Sequence, residues 1–251
     1  MRPLVCLTAC VAIGCGGTSS IDNGPSTTSS ATLYGRVWLT RIPAQGSTQF
    51  SAQFGGAAPA NVEHEQAFGS CYSQPYPSSP ATTEFDSAGT LSLLGTTTPW
   101  QVQPGSNMSY SSTRTADEWS EGAQLEIRAT GAQAPAFDTT VIAPPTLRFL
   151  NDRAALVEAV TGNADVTLQW MPVDADQVWI GVESGDKQVT CSWTGATGRG
   201  TIPGAALATL PQSGRTIRSP VALNSHAFQS NAWSINVIAQ ARSEFPDGSS
   251  L

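Results

Sequence analysis

The chain has 251 residues, 40% of them hydrophobic, which excludes a globally disordered protein and suits one large or two small domains. Charged residues make up only 12%, the net charge is −7, and the 12 basic residues form no cluster, which excludes a surface that tracks nucleic-acid phosphates. The 23 Gly and 17 Pro favour short strands joined by turns over long helices.

After Met1 and Arg2 comes the apolar run "PLVCLTACVAIG", ending at Gly14. A run of about 10–14 residues suits a signal-peptide core, because a membrane-spanning helix needs about 20. The segment Ala12-Ile13-Gly14-Cys15 resembles the bacterial lipobox. That resemblance implies cleavage before Cys15, a thioether lipid on its sulfur and an acylated amine. Cys10, in "LTAC", is the alternative; Leu7 fits the first lipobox position better, but too few apolar residues precede it. The following "GGTSSIDNGPSTTSS" has almost no apolar content, as a flexible tether requires. Acyl chains contribute roughly 0.8 kcal/mol per buried methylene, enough in combination for stable anchoring. Gly16, in place of Asp, resembles the pattern of lipoproteins released to the outer membrane. The expected layout is a signal over 1–14 and a lipidated tether over 15–31, and the expected location is the cell envelope.

From residue 32 to 143 the pattern predicts a first β-sandwich. "TLYGRVWLTRI" (32–42) places Leu33, Val37 and Leu39 on one face and Trp38 on the other. "TQFSAQF" (48–54), "SAGTLSLLG" (87–95), "SNMSYSSTR" (106–114), "GAQLEIRATG" (122–131) and "PAFDTTVIAPP" (135–145) follow as strands. "VEHEQ" (62–66) groups Glu63, His64 and Glu65, but neighbouring side chains diverge on either a strand or a helix, so no metal site is expected there. Asp117, Glu118 and Glu121 lie close enough in sequence for a hydrolytic carboxylate pair. They flank Trp119, and the segment reads better as the polar approach to a strand. Pro144-Pro145 stops the last strand and marks the domain boundary.

Residues 144–245 predict a second sandwich, immunoglobulin- or fibronectin-like, of about seven strands, followed by a tail over 246–251. The strands are "PTLRFL" (145–150), "ADVTLQWMP" (164–172), "DQVWIGVES" (176–184), "KQVTCSWTG" (187–195), "RGTIPG" (199–204), "GRTIRSPVAL" (214–223) and "AWSINVIAQAR" (232–242). Helical turns are expected over 151–162, capped by Asn151 or Asp152 and stopped by Gly162, and over 203–211. "DADQ" (174–177) and "ESGD" (183–186) gather four carboxylates, but the spacing is not that of an EF-hand loop. A Ser nucleophile would need His226 or His64 as its base, and no Gly-x-Ser-x-Gly elbow occurs.

Cys71 and Cys191 are the cysteines left after processing. In an oxidising compartment they are expected to form a disulfide, the alternative being two separate buried thiols. Of the 7 Trp, Trp170, Trp179 and Trp233 read as core or half-core. Trp100, Trp119 and Trp193 lie nearer turns, where exposed rings would stack on sugar faces.

Lipobox, tether, "AGTLSL", "GAQLEIRATGAQAPAFDTTVIAPP" and "VTCSWTGATGRGTIPGAAL" together resemble the uncharacterised predicted lipoproteins of myxobacteria. The resemblance implies an envelope location and β domains, and transfers no catalytic or ligand-binding residue. The resulting expectation is an all-β, lipid-anchored envelope protein acting as a non-enzymatic binding or structural module. It would meet the membrane through its lipid, and an envelope protein or polysaccharide through its folded part, with no cofactor, no metal and no nucleic acid. A carbohydrate-binding protein is the second reading and a carboxylate-pair hydrolase the third.

Overall fold

The structure, a computed structural model, describes residues 33–55, 65–75 and 85–250. The signal, Cys10, Cys15, the tether, Glu63 and His64 lie outside the described residues. Residues 31–251 form one compact unit. Its first half contains β1 (Leu33–Ile42), β2 (Ser47–Gly55), β3 (Gln66–Phe68), β4 (Cys71–Pro75), β5 (Leu91–Leu94), β6 (Trp100–Val102), β7 (Tyr110–Arg114), β8 (Gln124–Ala129) and β9 (Phe137–Ile142). The second contains β10 (Leu147–Arg148), α1 (Arg153–Ala159), β11 (Val166–Gln169), β12 (Gln177–Ser184), β13 (Lys187–Trp193), β14 (Arg199–Ile202), α2 (Gly204–Leu207), β15 (Thr216–Ser230) and β16 (Trp233–Glu244).

The architecture is an all-β sandwich built on one long sheet. Strands run in the order β3-β4-β13-β12-β15-β16-β1-β2-β7, with β10 added beside β16. A four-stranded sheet, β6-β5-β8-β9, covers one part of this platform. The pair β11-β14 and the two helices cover another part. Both covers lie on the same face. Val178 and Ala222 are register partners in the second core, Val37 and Val237 are partners in the first, and Ala241, the partner of Ala222, is buried on the same side of β16 as Val237.

Alternation explains the elements. β16 reads buried and half-buried in strict turn from Trp233 to Glu244, so one side of the strand lines the core. The first core packs Leu39, Phe50, Phe54, Leu91, Ile127 and Val237 between the sheets. The second packs Leu156, Trp170, Ile180, Val189, Ile202 and Leu207. In α1, Asp152 caps the helix by accepting from the Ala155 N–H at 2.9 Å, and Leu156 is its buried anchor.

The boundary expected at 143/144 separates two hydrophobic clusters in the chain but does not divide the protein. Ala143 belongs to the first cluster and Leu147 to the second, so Pro144-Pro145 does end one layer. However, β1 pairs in parallel with β16 over nine residue pairs, from Leu33↔Trp233 to Arg41↔Ala241, and β4 pairs with β13. Each core therefore uses strands from both halves of the chain. Two separable sandwiches over 32–143 and 144–245 would leave the edges of β1, β4, β13 and β16 without these ladders, which backbone polar groups do not tolerate when buried. The tail turns back on Phe245, which is 4% exposed and stacks on Phe149: the Phe245 N–H donates to the Ser249 carbonyl at 2.9 Å.

Where the two halves meet, Arg41 on β1 binds Asp117 through Nε at 3.2 Å and lies 3.5 Å from Glu121. Glu121 also accepts from the Thr146 N–H at 3.0 Å. Partial desolvation pushes the Glu121 carboxyl up, but the Thr146 hydrogen bonds and the charges of Arg148 and Arg41 outweigh it and hold it below its usual 4.5. A carboxyl lowered on folding stabilises the protein above its unfolded pKa and loses that contribution as pH falls through its folded pKa. Glu121→Gln should therefore flatten the acid limb of the stability profile below about pH 4.5 and leave stability at pH 2 nearly unchanged. The loss at pH 7 should be only a few tenths of a kcal/mol, since solvent screens this partly exposed group. Urea titrations at pH 7 and pH 2 measure both effects; an equal loss at the two pH values would contradict the assignment.

Candidate functional site

Of the three rings expected to meet sugars, two are buried and Trp193 is half-buried. Trp100 is 3% and Trp119 4% exposed, both in the first core. Trp100 faces inward with Val102 on β6, donates from Nε1 to Ser112 Oγ at 3.1 Å, and has the Arg114 guanidinium 4.6 Å from its ring centroid. Trp193 packs against the second core and tilts onto Trp170 at 5.9 Å. Its ring lies so close to Gly200 that a Cβ there would stand 2.4 Å from Cδ2. Turn proximity misled because the flanking strands carry these rings inward, where each buries a large apolar surface.

The carboxylate groupings also separate. Arg41 holds Asp117 and Glu121, while Glu118 is buried and paired with Arg114 at 3.1 Å. Asp176 precedes β12 and Glu183 lies near its other end, roughly 20 Å apart at strand rise, so the two acidic segments cannot share one ion. Among the described residues no group of three or more His, Cys, Asp or Glu side chains is arranged to hold a metal. His226 is exposed and stacks on Phe228, with ring centroids 5.9 Å apart. It borders a small cleft of about 300 Å³ with Asp174, Asp176 and Asn224. There Asp176 accepts from the Ser225 N–H at 2.9 Å, and Asn224 accepts from the Asp176 N–H at 2.8 Å. These bonds tie the start of β12 to β15, which makes them structural.

Cys71 and Cys191 are joined by a disulfide, at directly opposed positions of β4 and β13.

The other face of the long sheet bears no described element. Trp38 on β1, Ile238 and Arg242 on β16, Leu223 on β15 and Trp179 on β12 all turn to it and border a shallow groove of about 670 Å³. The register fixes the layout. Trp38 is the partner of Ile238, which is the partner of Ser225; Arg242 is the partner of Val221, which is the partner of Trp179. Three strand spacings and four residues of rise put the two Trp positions roughly 20 Å apart on the diagonal. The sheet steps in register between Trp179 and Gly181, opposite Pro220, which has no N–H to give the ladder. Gly181 leaves room there for the indole: a Cβ would stand 3.1 Å from Cη2 of Trp179.

The charge on this face differs from that of the whole chain. Arg36 lies with its guanidinium 5.8 Å from the Trp38 ring centroid, and burial pulls it below its ordinary pKa. Arg218 pairs with Glu183 at 2.9 Å. Between the rings lie amides and hydroxyls, with Gln240 donating to Thr40 Oγ1 at 2.9 Å.

Alternation was the signal for both half-buried rings. Val37 and Leu39 on the buried side leave Trp38 on the other; Val178, Ile180 and Val182 do the same for Trp179.

No family model matches the chain, and no curated protein matches it. Solved structures give only loose likenesses. A structure of a 1.5-MDa bacterial ice-binding adhesin is 11% identical, with 85% of this chain and 65% of that one covered, at a TM-score of 0.22. A tetra-tandem repeat from the extending region of a large adhesion protein is 14% identical, with 87% and 49% covered, at 0.24. The FN1–FN3 domains of chicken CNTN1 are 7% identical, with 78% and 75% covered, at 0.21. The chain thus spans 65% and 49% of the first two. TM-scores of this size carry no argument about function. Among the described residues no helix is long and apolar enough to cross a membrane.

Proposed function

We propose that this is a lipid-anchored envelope protein that works as a non-enzymatic binding module, with the uncovered sheet face as its contact surface. The observation that carries the binding role is one-sided coverage. Among the described residues, a ten-stranded sheet is packed on one face, and on the other it presents the half-buried Trp38, Trp179, Ile238 and Leu223 among polar groups. Indole rings with one accessible side, set among hydroxyls and amides, are the amphipathic groups that contact surfaces favour. The anchor rests on Cys15 in its lipobox-like setting and on the Ser/Thr/Gly tract behind it, which holds the folded unit clear of the bilayer.

Two measurements test this reading. Palmitate labelling of the full chain should vanish in Cys15→Ala and persist in Cys10→Ala; the reverse moves the anchor to Cys10. Purified 31–251 should co-sediment with washed envelope material, and the Trp38→Ser/Trp179→Ser protein should lose most of that association. Equal sedimentation of the two proteins would remove the face from consideration.

A further inference from the structure

We propose that the uncovered face binds an extended polysaccharide bearing carboxylates, with Trp38 and Trp179 as stacking platforms and Arg36 and Arg242 as carboxylate partners. This rests on the reading of the face as a binding surface and adds the class of ligand.

Charge is the first ground. The chain carries a net charge of −7, yet this face is arginine-rich. Arg218 has Glu183 beside it. Arg36 and Arg242 have no carboxylate within ion-pairing distance among the described residues, and Arg36 is already partly desolvated. An arginine fork held at a surface without an acid is complementary to an incoming carboxylate, which it engages through two parallel N–H···O bonds.

Shape and chemistry are the second ground. The groove is open, runs across four strands and has an aromatic ring at each end of a diagonal of roughly 20 Å. A pyranose presents a C–H-rich face to an indole and hydroxyls at its rim. The rings supply the first contact. Gln240 and Ser225, on the two strands between them, can exchange hydrogen bonds with the second. A folded protein partner would instead favour a contiguous apolar centre with a polar rim, whereas here the apolar groups are dispersed among amides and hydroxyls. A length of roughly 20 Å selects a polymer over a single sugar.

The test uses purified 31–251, which contains both cores, with alginate as the polyuronate probe. Dextran, poly-glutamate and oligo-dT serve as comparison polymers. Alginate should bind, weakening as salt rises. Trp38→Ala and Trp179→Ala should each lower affinity roughly fivefold or more, the scale of one aromatic contact, and Trp38→Tyr should restore most of it. Arg36→Gln/Arg242→Gln should lower alginate affinity and flatten its salt dependence, with the thermal unfolding midpoint held as the folding control. Equal binding of dextran, which lacks carboxylates, of poly-glutamate, which lacks pyranose faces, or of oligo-dT, which lacks both, would overturn the proposal. Failure to bind alginate while Trp-dependent envelope sedimentation persists would overturn the ligand class and leave the binding face standing. Loss of that Trp dependence as well would remove both.

Discussion

Removing the bridge with Cys71→Ala/Cys191→Ala should lower the stability of the folded unit by about 5 kcal/mol, the largest effect expected of any paired substitution here. The two cysteines are 120 residues apart in sequence, so the bond closes a loop that spans most of both cores. In the unfolded chain that closure removes conformational entropy, and the chain-entropy model gives about 5 kcal/mol for a loop of this length. The native side of the balance is favourable too. Cys71 and Cys191 are each 1% exposed and are register partners, so the bridge lies along an existing ladder. It also pins β4, which otherwise depends on its ladder to β13 and the three-residue β3. Urea midpoints of the oxidised wild type and the double variant measure the effect. A loss below about 1 kcal/mol would show that the unfolded chain is already ordered around this pair.

The second large effect is expected at Arg215, which is 7% exposed and pairs with no carboxylate among the described residues. Its guanidinium serves carbonyl groups instead. Nε donates to the Pro211 carbonyl at 3.0 Å, Nη1 to those of Val160 at 3.2 Å and Gly162 at 2.5 Å, and Nη2 to that of Leu210 at 2.9 Å. Nη2 also donates to Asn163 Oδ1 at 3.0 Å. These acceptors lie where the chain leaves α1 and α2, so one cation gathers carbonyls that the ended helices leave without partners. Arg215→Met keeps much of the side-chain volume but strands those carbonyls in a buried place. The expected loss is about 3 kcal/mol, as for truncating one side of a buried charged hydrogen-bond set. For a unit of this size that is a fall of roughly 10 °C in Tm. Arg215→Lys should recover less than half, because an ammonium cannot span acceptors on both helix ends. Calorimetry on the two variants decides it; a loss under about 1 kcal/mol in both would mean that water replaces the guanidinium.

Most of the strands were legible because their burial is one-sided. Leu125 and Ile127 set against Glu126 and Arg128 predict β8, and Val178, Ile180 and Val182 predict β12. The missed elements lack that contrast. β3 and β4 carry Gln, Ser, Tyr and Cys without an apolar alternation, and the far half of β15, "NSHAFQS", is polar because it emerges beyond the second core. β6 has only Trp100 and Val102 to show, on either side of Gln101.

The sites show the same division. Parity along a strand fixes which face a side chain takes, so Trp38 was separable from Val37 and Leu39 by sequence alone. It does not say which faces acquire a second layer. Trp119 lies in a turn and is 4% exposed, because the first core closes over it. Trp179 lies mid-strand and remains accessible, because no described element covers its side of β12. Carboxylates adjacent in sequence, such as Asp117 and Glu118, are drawn to different arginines once strands from distant parts of the chain assemble.

The amino-acid sequence by itself determined the all-β character, because hydrophobic period and turn chemistry are local properties, and it alone carries the proposed address, through the Cys15 setting and the tract behind it. The tertiary structure decided that both halves share one sheet, that Cys71 meets Cys191, and that Trp38 and Trp179 occupy the open face. Those outcomes depend on which strand edges pair across more than a hundred residues. That choice is set by the combined burial of both cores, which no local stretch of the chain encodes.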